Sequence, residues 1–389
     1  MRQTSFPIGA AVSLEELELD PHPLLLRLRE REPVSWLPAL GGWLVTRRDL
    51  ALQAMRDSVA FTVDDPRFST GKVVGPSMLT LDGAEHARHR DAFARPFRLD
   101  EVQRQFTALV ETETERLIDA IEPHGRAELR RGLAGPLAAT VAAHALGLEG
   151  TNTTTILGWY DAIVDAVTAV ALGNPVTPAG GKAFAALRSS VEPLLDIDPR
   201  SSLIASASRA GALTRAEVSS NVAVLMFGGI ETTEAMIANA ILHLLANPLQ
   251  RKLVERDRAL LSNAVEESLR LEPAAAVIDR YATADVRLGG APIGRGELVR
   301  ISIAGANRDP DVFPDPDRFD VRRENARHQL AFARGPHVCI GMHLARLEAH
   351  TAIGRLLDRL PWLRLDPDHS AALRGLVFRK PPELRVLWG

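Results

Sequence analysis

Cysteine is nearly absent: of 389 residues, only Cys339 carries a thiol. No intramolecular disulfide can form, and zinc or iron–sulfur sites built from several cysteines are excluded, which points to a reducing, cytoplasmic setting. Lysine occurs only at positions 72, 182, 252 and 380, so the cationic residues are almost all Arg, a bias of composition from which no function follows. Charge of one sign is also missing. Lys plus Arg total 46 against 49 Asp plus Glu, for a net charge of −3, and no basic stripe stands out, so nucleic acid is not an expected partner. No stretch offers roughly 20 consecutive apolar residues for a membrane span, and the first 20 residues lack the uninterrupted apolar core of a signal peptide.

What is present is a globular balance, 46% hydrophobic and 24% charged. There is no repeat, no low-complexity tract and no clean linker, so residues 1–389 are read as a single unit. The front of the chain predicts a hairpin (33–36 with 43–46), a helix over 48–55 and a long loop from Phe61 to Gly83. Helices are predicted near 84–95, 100–122, 127–147, 153–171 and 181–195, separated by Pro, Gly or Asn. Thr214-Arg-Ala-Glu217 is a capping box opening an unbroken helical run to Asn247-Pro248, roughly 45 Å long and expected in the core. A helix over 249–271, short strands at 276–281, 285–288 and 298–303, and a last helix from Gly341 to Leu360 complete a mainly α chain with a small β-rich region.

Three motifs carry chemistry. The first is Phe332-Ala-Arg-Gly335-Pro-His337-Val-Cys339-Ile-Gly341, ahead of an amphipathic helix holding Leu344 and Ala345. Its glycines permit tight turns around the thiol, and free N–H groups at the helix start favour a thiolate. A thiolate among apolar residues suits the axial position of heme iron, where its electron donation favours O–O cleavage; a buried structural cysteine is the plainer alternative. The second is Glu267-Ser-Leu-Arg270, whose charged residues share a helix face, as a surface ion pair would also do. The third is Phe227-Gly228-Gly229-Ile230-Glu231-Thr232-Thr233. Two glycines inside a helix cost roughly 1 kcal/mol each, so tight helix packing or the approach of a flat ligand should offset them. Thr232 can bond back one turn and open the helical ladder, leaving a polar groove for dioxygen and water.

Together these motifs resemble the cytochrome P450 superfamily: the cysteine loop Phe-x-x-Gly-x-His-x-Cys-x-Gly, the upstream Glu-x-x-Arg, and the acid–alcohol pair of the long helix, here with Gly228 where Ala is commoner. Asn307-Arg-Asp-Pro310 and Phe313-Pro-Asp-Pro-Asp-Arg318-Phe319 follow in the family's order. The resemblance implies a heme-thiolate fold with the long helix over the heme, Cys339 as iron ligand, and Phe332, Gly335, Gly341, Ala345 and Gly228 around heme b. It implies that His86, Arg90, Arg280 and His337 hold the propionates, since buried carboxylates need cationic donors. Glu267, Arg270 and Arg318 would form a buried network behind the cysteine loop. Glu231 and Thr232 would relay protons.

The function implied is insertion of one oxygen atom from dioxygen into an organic substrate, with electrons from a separate ferredoxin or flavodoxin and its NAD(P)H-dependent reductase. No dinucleotide fingerprint appears in the chain itself. Arg95, Arg98, Arg334 and Arg346 are candidates for docking that partner. Val224, Phe227, Ala276, Ile278, Val377 and Phe378 are candidate substrate contacts, with Val63, Val74, Met78 and Leu79 from the long loop, and suggest a mainly apolar substrate. Oxidative coupling or ring formation, peroxide-driven turnover, and a heme sensor without turnover are the rival readings.

Overall fold

The structure, a computed structural model, describes residues 5–171, 173–198, 202–209, 211–369 and 371–389. Its axis is the helix Arg215–Ala246. Thr214 accepts from the N–H of Glu217, whose carboxylate accepts from the N–H of Thr214, so the capping box satisfies two orphan donors. Pro248, which cannot continue the helix, follows its end at Asn247. Most side chains of this central helix are buried all round, against Gly135–Leu146 on one side and Met342–Arg359 on another. One apolar core runs through these helices together with Leu99–Ile121, Thr153–Ala171 and Pro178–Val191.

The largest of the three described sheets has five strands in the order Val34–Leu37, Gly42–Val45, Leu298–Ser302, Val277–Ala282, Phe61–Thr62. Only the second and third strands run parallel, with Trp43 opposite Val299. The predicted front hairpin is present, turning through Gly41 at φ 58°, a left-handed position that favours glycine. The sheet has its own core around Trp43, Val299 and Ile301.

Three predicted elements differ. The helix expected over 249–271 is broken into Pro248–Arg256 and Leu260–Leu271, because the Asp257 carboxylate accepts from Ala259 N–H and offers the chain a local turn. The helix expected over 127–147 begins as a strand, Arg126–Glu128, paired with Arg385–Leu387, then passes through a wide π turn, Arg130–Ala134, into Gly135–Leu146. Glu128 explains the switch, since its carboxylate accepts from the N–H groups of Arg130, Arg131 and Leu384 at 3.0, 2.8 and 2.8 Å. The loop from 61 to 83 contains a short strand and the helix Ser69–Val74. No described helix is long and apolar enough to cross a membrane.

Candidate active site

Between the central helix and the start of Met342–Arg359 lies a cavity of about 270 Å³. One wall is the cysteine loop and the first turn of the helix after it: Phe332, His337, Cys339, Gly341, Leu344 and Ala345. The other is the central helix: Val224, Phe227, Gly228, Gly229, Thr232 and Thr233. Cys339 is accessible from this cavity yet lies deep within the protein. Its N–H donates to Phe332 O at 2.9 Å, closing the loop. Gly335 sits at φ +79°, where an added Cβ would lie 2.6 Å from Met55 O, so the residue is fixed by backbone conformation and by crowding. Burial pushes the Cys339 thiol up, against the pull of the Gly341 N–H, Arg90 and Arg346. The helix start does pull toward the thiolate, as expected, but the apolar seat outweighs it.

A Cβ added to Gly228 on one wall or Gly341 on the other would meet nothing within 4 Å. Both glycines thus border open space. Thr232 donates to Gly228 O at 2.6 Å, as its position predicts, but the helix stays continuous through this turn instead of opening.

Arg90 and His337 line the cavity, His86 packs behind His337, and Arg280 lies near enough to Asp82, the partner of His337, to feel its charge. Arg90 donates to Val338 O at 2.8 Å and Arg280 to Asp279 O at 2.8 Å. Among the described residues, no carboxylate forms an ion pair with either arginine, and burial lowers both from the usual guanidinium range. His86 packs its ring on His337 at 4.3 Å, and its buried Nε2 has no partner among the described residues. Burial, then His337 and Arg90, hold it down at about 4. His337 Nε2 lies 2.7 Å from Asp82 Oδ1. Burial alone would raise Asp82, yet hydrogen bonds from His337, Thr62 and the Val63 N–H keep it at about 2. Unpaired buried donors beside a slot bordered by glycine, with a thiol on one wall, fit a flat ligand bearing two carboxylates: the residues present suit heme b.

Behind the loop, Glu267 and Arg270 are fully buried and joined twice, Nε–Oε2 at 2.7 Å and Nη2–Oε1 at 2.8 Å. Arg270 also donates to the carbonyls of Asn307, Pro316 and Arg318. The third side chain is not Arg318. That side chain is 63% exposed and lies 3.8 Å from Asp320, whereas Arg323, 8% exposed, reaches Glu267 Oε1 at 2.9 Å. Arg318 contributes only its carbonyl, which accepts from Arg270 and Arg323.

Other expectations also shift. Val224, Phe227, Met78 and Leu79 line the cavity, but Ala276 and Val377 pack into a cluster with Leu24, Leu28 and Leu44. Ile278 packs against the sheet's core. Hydrogen bonding from Ala276 N–H to Val377 O ties these residues to each other, and Ala274 and Ala275 supply the wall instead. Phe378 stands one layer back, edge to face on Phe227 at 5.6 Å. Val63 and Val74 are buried outside the lining. Arg346 is drawn inward by Glu266 at 2.5 Å and lies over the Phe332 ring at 4.5 Å; Arg95 is 82% exposed and Arg98 is exposed. Arg334 is partly buried and donates to the carbonyls of Ala333 and Gln329.

Glu231 is absent from the cavity wall. Its carboxylate faces away, accepting from Tyr160 OH and paired with Lys380 Nζ at 2.8 Å. Sequence reasoning missed Tyr160, Lys380 and Asp82, which come from distant segments with no motif. It also missed Glu348, a buried acid on the cavity wall whose Oε2 has no partner among the described residues and which burial pushes well up. Its signal was present: a charge four residues after Leu344, on the apolar face.

Residues 199–387 match the family model described as Cytochrome P450. The chain is 34% identical over 391 residues to Cytochrome P450 107B1 of Saccharopolyspora erythraea, covering 92% of this chain and 93% of that one. The chain belongs to the cytochrome P450 family. It is also similar to Cytochrome P450 monooxygenase PikC of Streptomyces venezuelae, 35% identical over 393 residues with 96% and 91% of the chains covered. Among solved structures, the cytochrome P450 enzyme CxnD, for C–S bond formation in chuangxinmycin biosynthesis, superposes with a TM-score of 0.88 at 26% identity, covering 97% of both chains. The chain is accordingly a heme b monooxygenase, an oxidoreductase that incorporates oxygen from O2.

Proposed function

We propose that the whole chain acts as one unit that oxidises a mainly apolar small molecule by hydroxylation or epoxidation, in secondary metabolism or catabolism. The observation that carries this reading is the juxtaposition of Cys339 and Thr232 across a cavity whose other walls are almost all apolar. Bound heme b would supply the redox iron needed to reduce dioxygen with two electrons and two protons, so that one oxygen atom could enter the substrate and the other leave as water. Cys339 would be the residue that ligates the iron and donates electron density. His86, Arg90, Arg280 and His337 hold the propionates, and Phe332, Gly335, Gly341, Gly228 and Ala345 shape the slot. Thr232 holds a proton at its hydroxyl beside the cavity, and Glu231, the residue before it, takes protons up from the interior network. Glu267, Arg270 and Arg323 brace the backbone behind the cysteine loop. Val224, Phe227, Met78, Leu79, Ala274 and Ala275 contact substrate and exclude water from it.

Electrons arrive from a separate ferredoxin or flavodoxin, served by an NAD(P)H-dependent reductase in the cytoplasm. Arg95 and Arg98, exposed just beyond the helix that carries Arg90, form the docking charges; Arg334 is a secondary contact. Arg346 is withdrawn from that set because it turns inward to Glu266, its side chain 25% exposed, whereas Arg95, 3.7 Å from Glu101, keeps its side chain in solvent. Charge reversal at Arg95 and Arg98 slows reduction and leaves substrate affinity unchanged.

The likeness to an enzyme for C–S bond formation favours one second reading, oxidative bond formation within a substrate. Turnover under oxygen-18 separates the two. Label in the product supports insertion, while NAD(P)H consumption with product formed free of label supports bond formation.

A further inference from the structure

Met78 and Leu79 reach the cavity from a turn, residues 75–80, that is folded on itself. Ser77 N–H donates to Thr80 Oγ1 at 2.9 Å, and Thr80 N–H donates to Ser77 O at 3.0 Å. Among the described residues, one hydrogen bond ties this turn to the central helix: Met78 N–H donates to Asn221 Oδ1 at 2.8 Å. Asn221 is fully buried, as is His89 behind it on the helix Gly83–Ala94.

The Asn221 amide is satisfied in one orientation. Its oxygen meets the Met78 N–H, which can only donate, and its nitrogen lies 2.7 Å from Glu217 O, which can only accept. The remaining hydrogen of that nitrogen faces His89 Nδ1 at 2.8 Å, so this ring nitrogen must accept and carries no proton. The other ring nitrogen then holds the hydrogen and faces Glu217 Oε1 at 3.3 Å. The charged groups around the ring are Glu217 from the central helix and, from its own helix, Glu85 and Arg88. Arg88 bridges the two carboxylates, with Nη2 3.2 Å from His89 Nε2. The helix Leu203–Arg209, also packed on Gly83–Ala94, adds only Arg209, which is exposed and acts on Asp196. The turn itself carries no charge.

A proton added at His89 Nδ1 sets two donors face to face in a fully buried place. Turning the Asn221 amide to accept that proton sets its nitrogen against the Met78 N–H and its oxygen against Glu217 O, and the tether is lost. We propose that Asn221 and His89 are positioning residues for the substrate: Asn221 holds the Met78–Leu79 wall on the central helix, and His89 keeps Asn221 facing that way only while its Nδ1 is free of a proton. The proposal rests on the reading that Met78 and Leu79 contact substrate. A histidine that merely fills the core would affect stability and leave the wall indifferent to pH.

The test follows the wall itself and the ligands it meets. The chain has six methionines, so methyl-13C methionine in the heme-loaded carbon monoxide form gives a spectrum simple enough to assign Met78 with Met78→Leu. Between about pH 8 and about pH 5, the range in which histidine titrates, the wild-type Met78 resonance should move toward its position in Asn221→Leu, which lacks the tether at every pH. His89→Asn, whose side-chain oxygen accepts near the place of Nδ1 and takes up no proton, should keep the position seen in the wild type at about pH 8. The ferric proteins are titrated in parallel with clotrimazole, a bulky apolar azole, and with imidazole. Relative to His89→Asn at the same pH, which cancels the titration of the azoles, acidified wild type should bind clotrimazole about three- to tenfold more weakly, the worth of about one hydrogen bond, with imidazole unchanged. Asn221→Leu should show that loss already at about pH 8.

A Met78 resonance that stays fixed with pH in the wild type, moves equally in His89→Asn, or is unaltered in Asn221→Leu would overturn the proposal. So would clotrimazole affinity that is indifferent to acidification while Met78→Ala lowers it. Met78→Ala reports separately on the wall reading: unchanged clotrimazole binding there refutes ligand contact, and the methyl resonance alone then decides whether Asn221 and His89 hold the wall.

Discussion

Replacing Arg323 and Arg318 in turn by alanine is a sharp test of how the cysteine loop is braced. Arg323 donates to Glu267 Oε1 at 2.9 Å and to the carbonyls of Pro314, Asp315 and Arg318 at 2.6, 3.0 and 3.2 Å. Loss of one hydrogen bond to a charged group costs about 1.5–3 kcal/mol, and partly solvated carbonyls add less than about 1 kcal/mol in all. Glu267 keeps Arg270, so the full cost of an unpaired buried carboxylate is not incurred. The expected loss is about 2–4 kcal/mol. For 389 residues, an unfolding entropy of about 2.1 cal/mol/K per residue makes that a fall of about 2–5 °C in melting temperature. Arg318, exposed and 3.8 Å from Asp320, should cost no more than about 0.5 kcal/mol. Thermal and urea unfolding of both variants, with heme retention after gel filtration, measures the difference. Equal losses for the two variants, or a neutral Arg323→Ala, would refute the assignment.

Thr232→Ala should leave heme content and ligand-induced spectral shifts intact while the share of NAD(P)H recovered as peroxide rises severalfold, read by a peroxide assay against product yield. His243, stacked on Phe319 and held down at about 4 by burial, is neutral in the fold but charges in the unfolded chain below about 6.5. The unfolded state then binds the extra proton, so stability should fall as pH drops from about 6.5 to 4, and His243→Phe should flatten urea midpoints across that window. Glu348 has the opposite sign. Its raised value keeps the proton in the fold while the unfolded chain ionises above 4.5, so stability falls as pH rises from there. Glu348→Gln should therefore stabilise the protein at neutral pH, with the gain vanishing below about pH 4.5; a gain independent of pH would contradict a buried neutral acid.

Local rules recovered what local chemistry decides. The capping box at Thr214, the glycine turn at Gly41 and the crowded Gly335 are each set by a few neighbouring atoms, and each was legible. The cysteine loop and the Glu267–Arg270 pair were legible through their spacing. Residues whose roles depend on long-range packing were not. Arg318 and Arg323 are five apart and chemically identical, and only the folded path of the chain decides which one turns inward. Ala276 and Ile278 fall in strand pattern, but that pattern does not say which face meets the cavity, and both faces turned out to be packed. The switch at Arg126–Glu128 depends on pairing with residues 385–387, some 260 positions away, which no helical propensity could reveal. Lys380 meets Glu231 across 149 positions for the same reason.

The account turns on sulfur ligation of iron by Cys339. Reduced, heme-loaded protein under carbon monoxide measures it directly. The strongly red-shifted Soret band of a thiolate-ligated adduct is expected, and Cys339→His should abolish it while the fold persists. A wild-type adduct with the spectrum of imidazole-ligated globins would contradict the account.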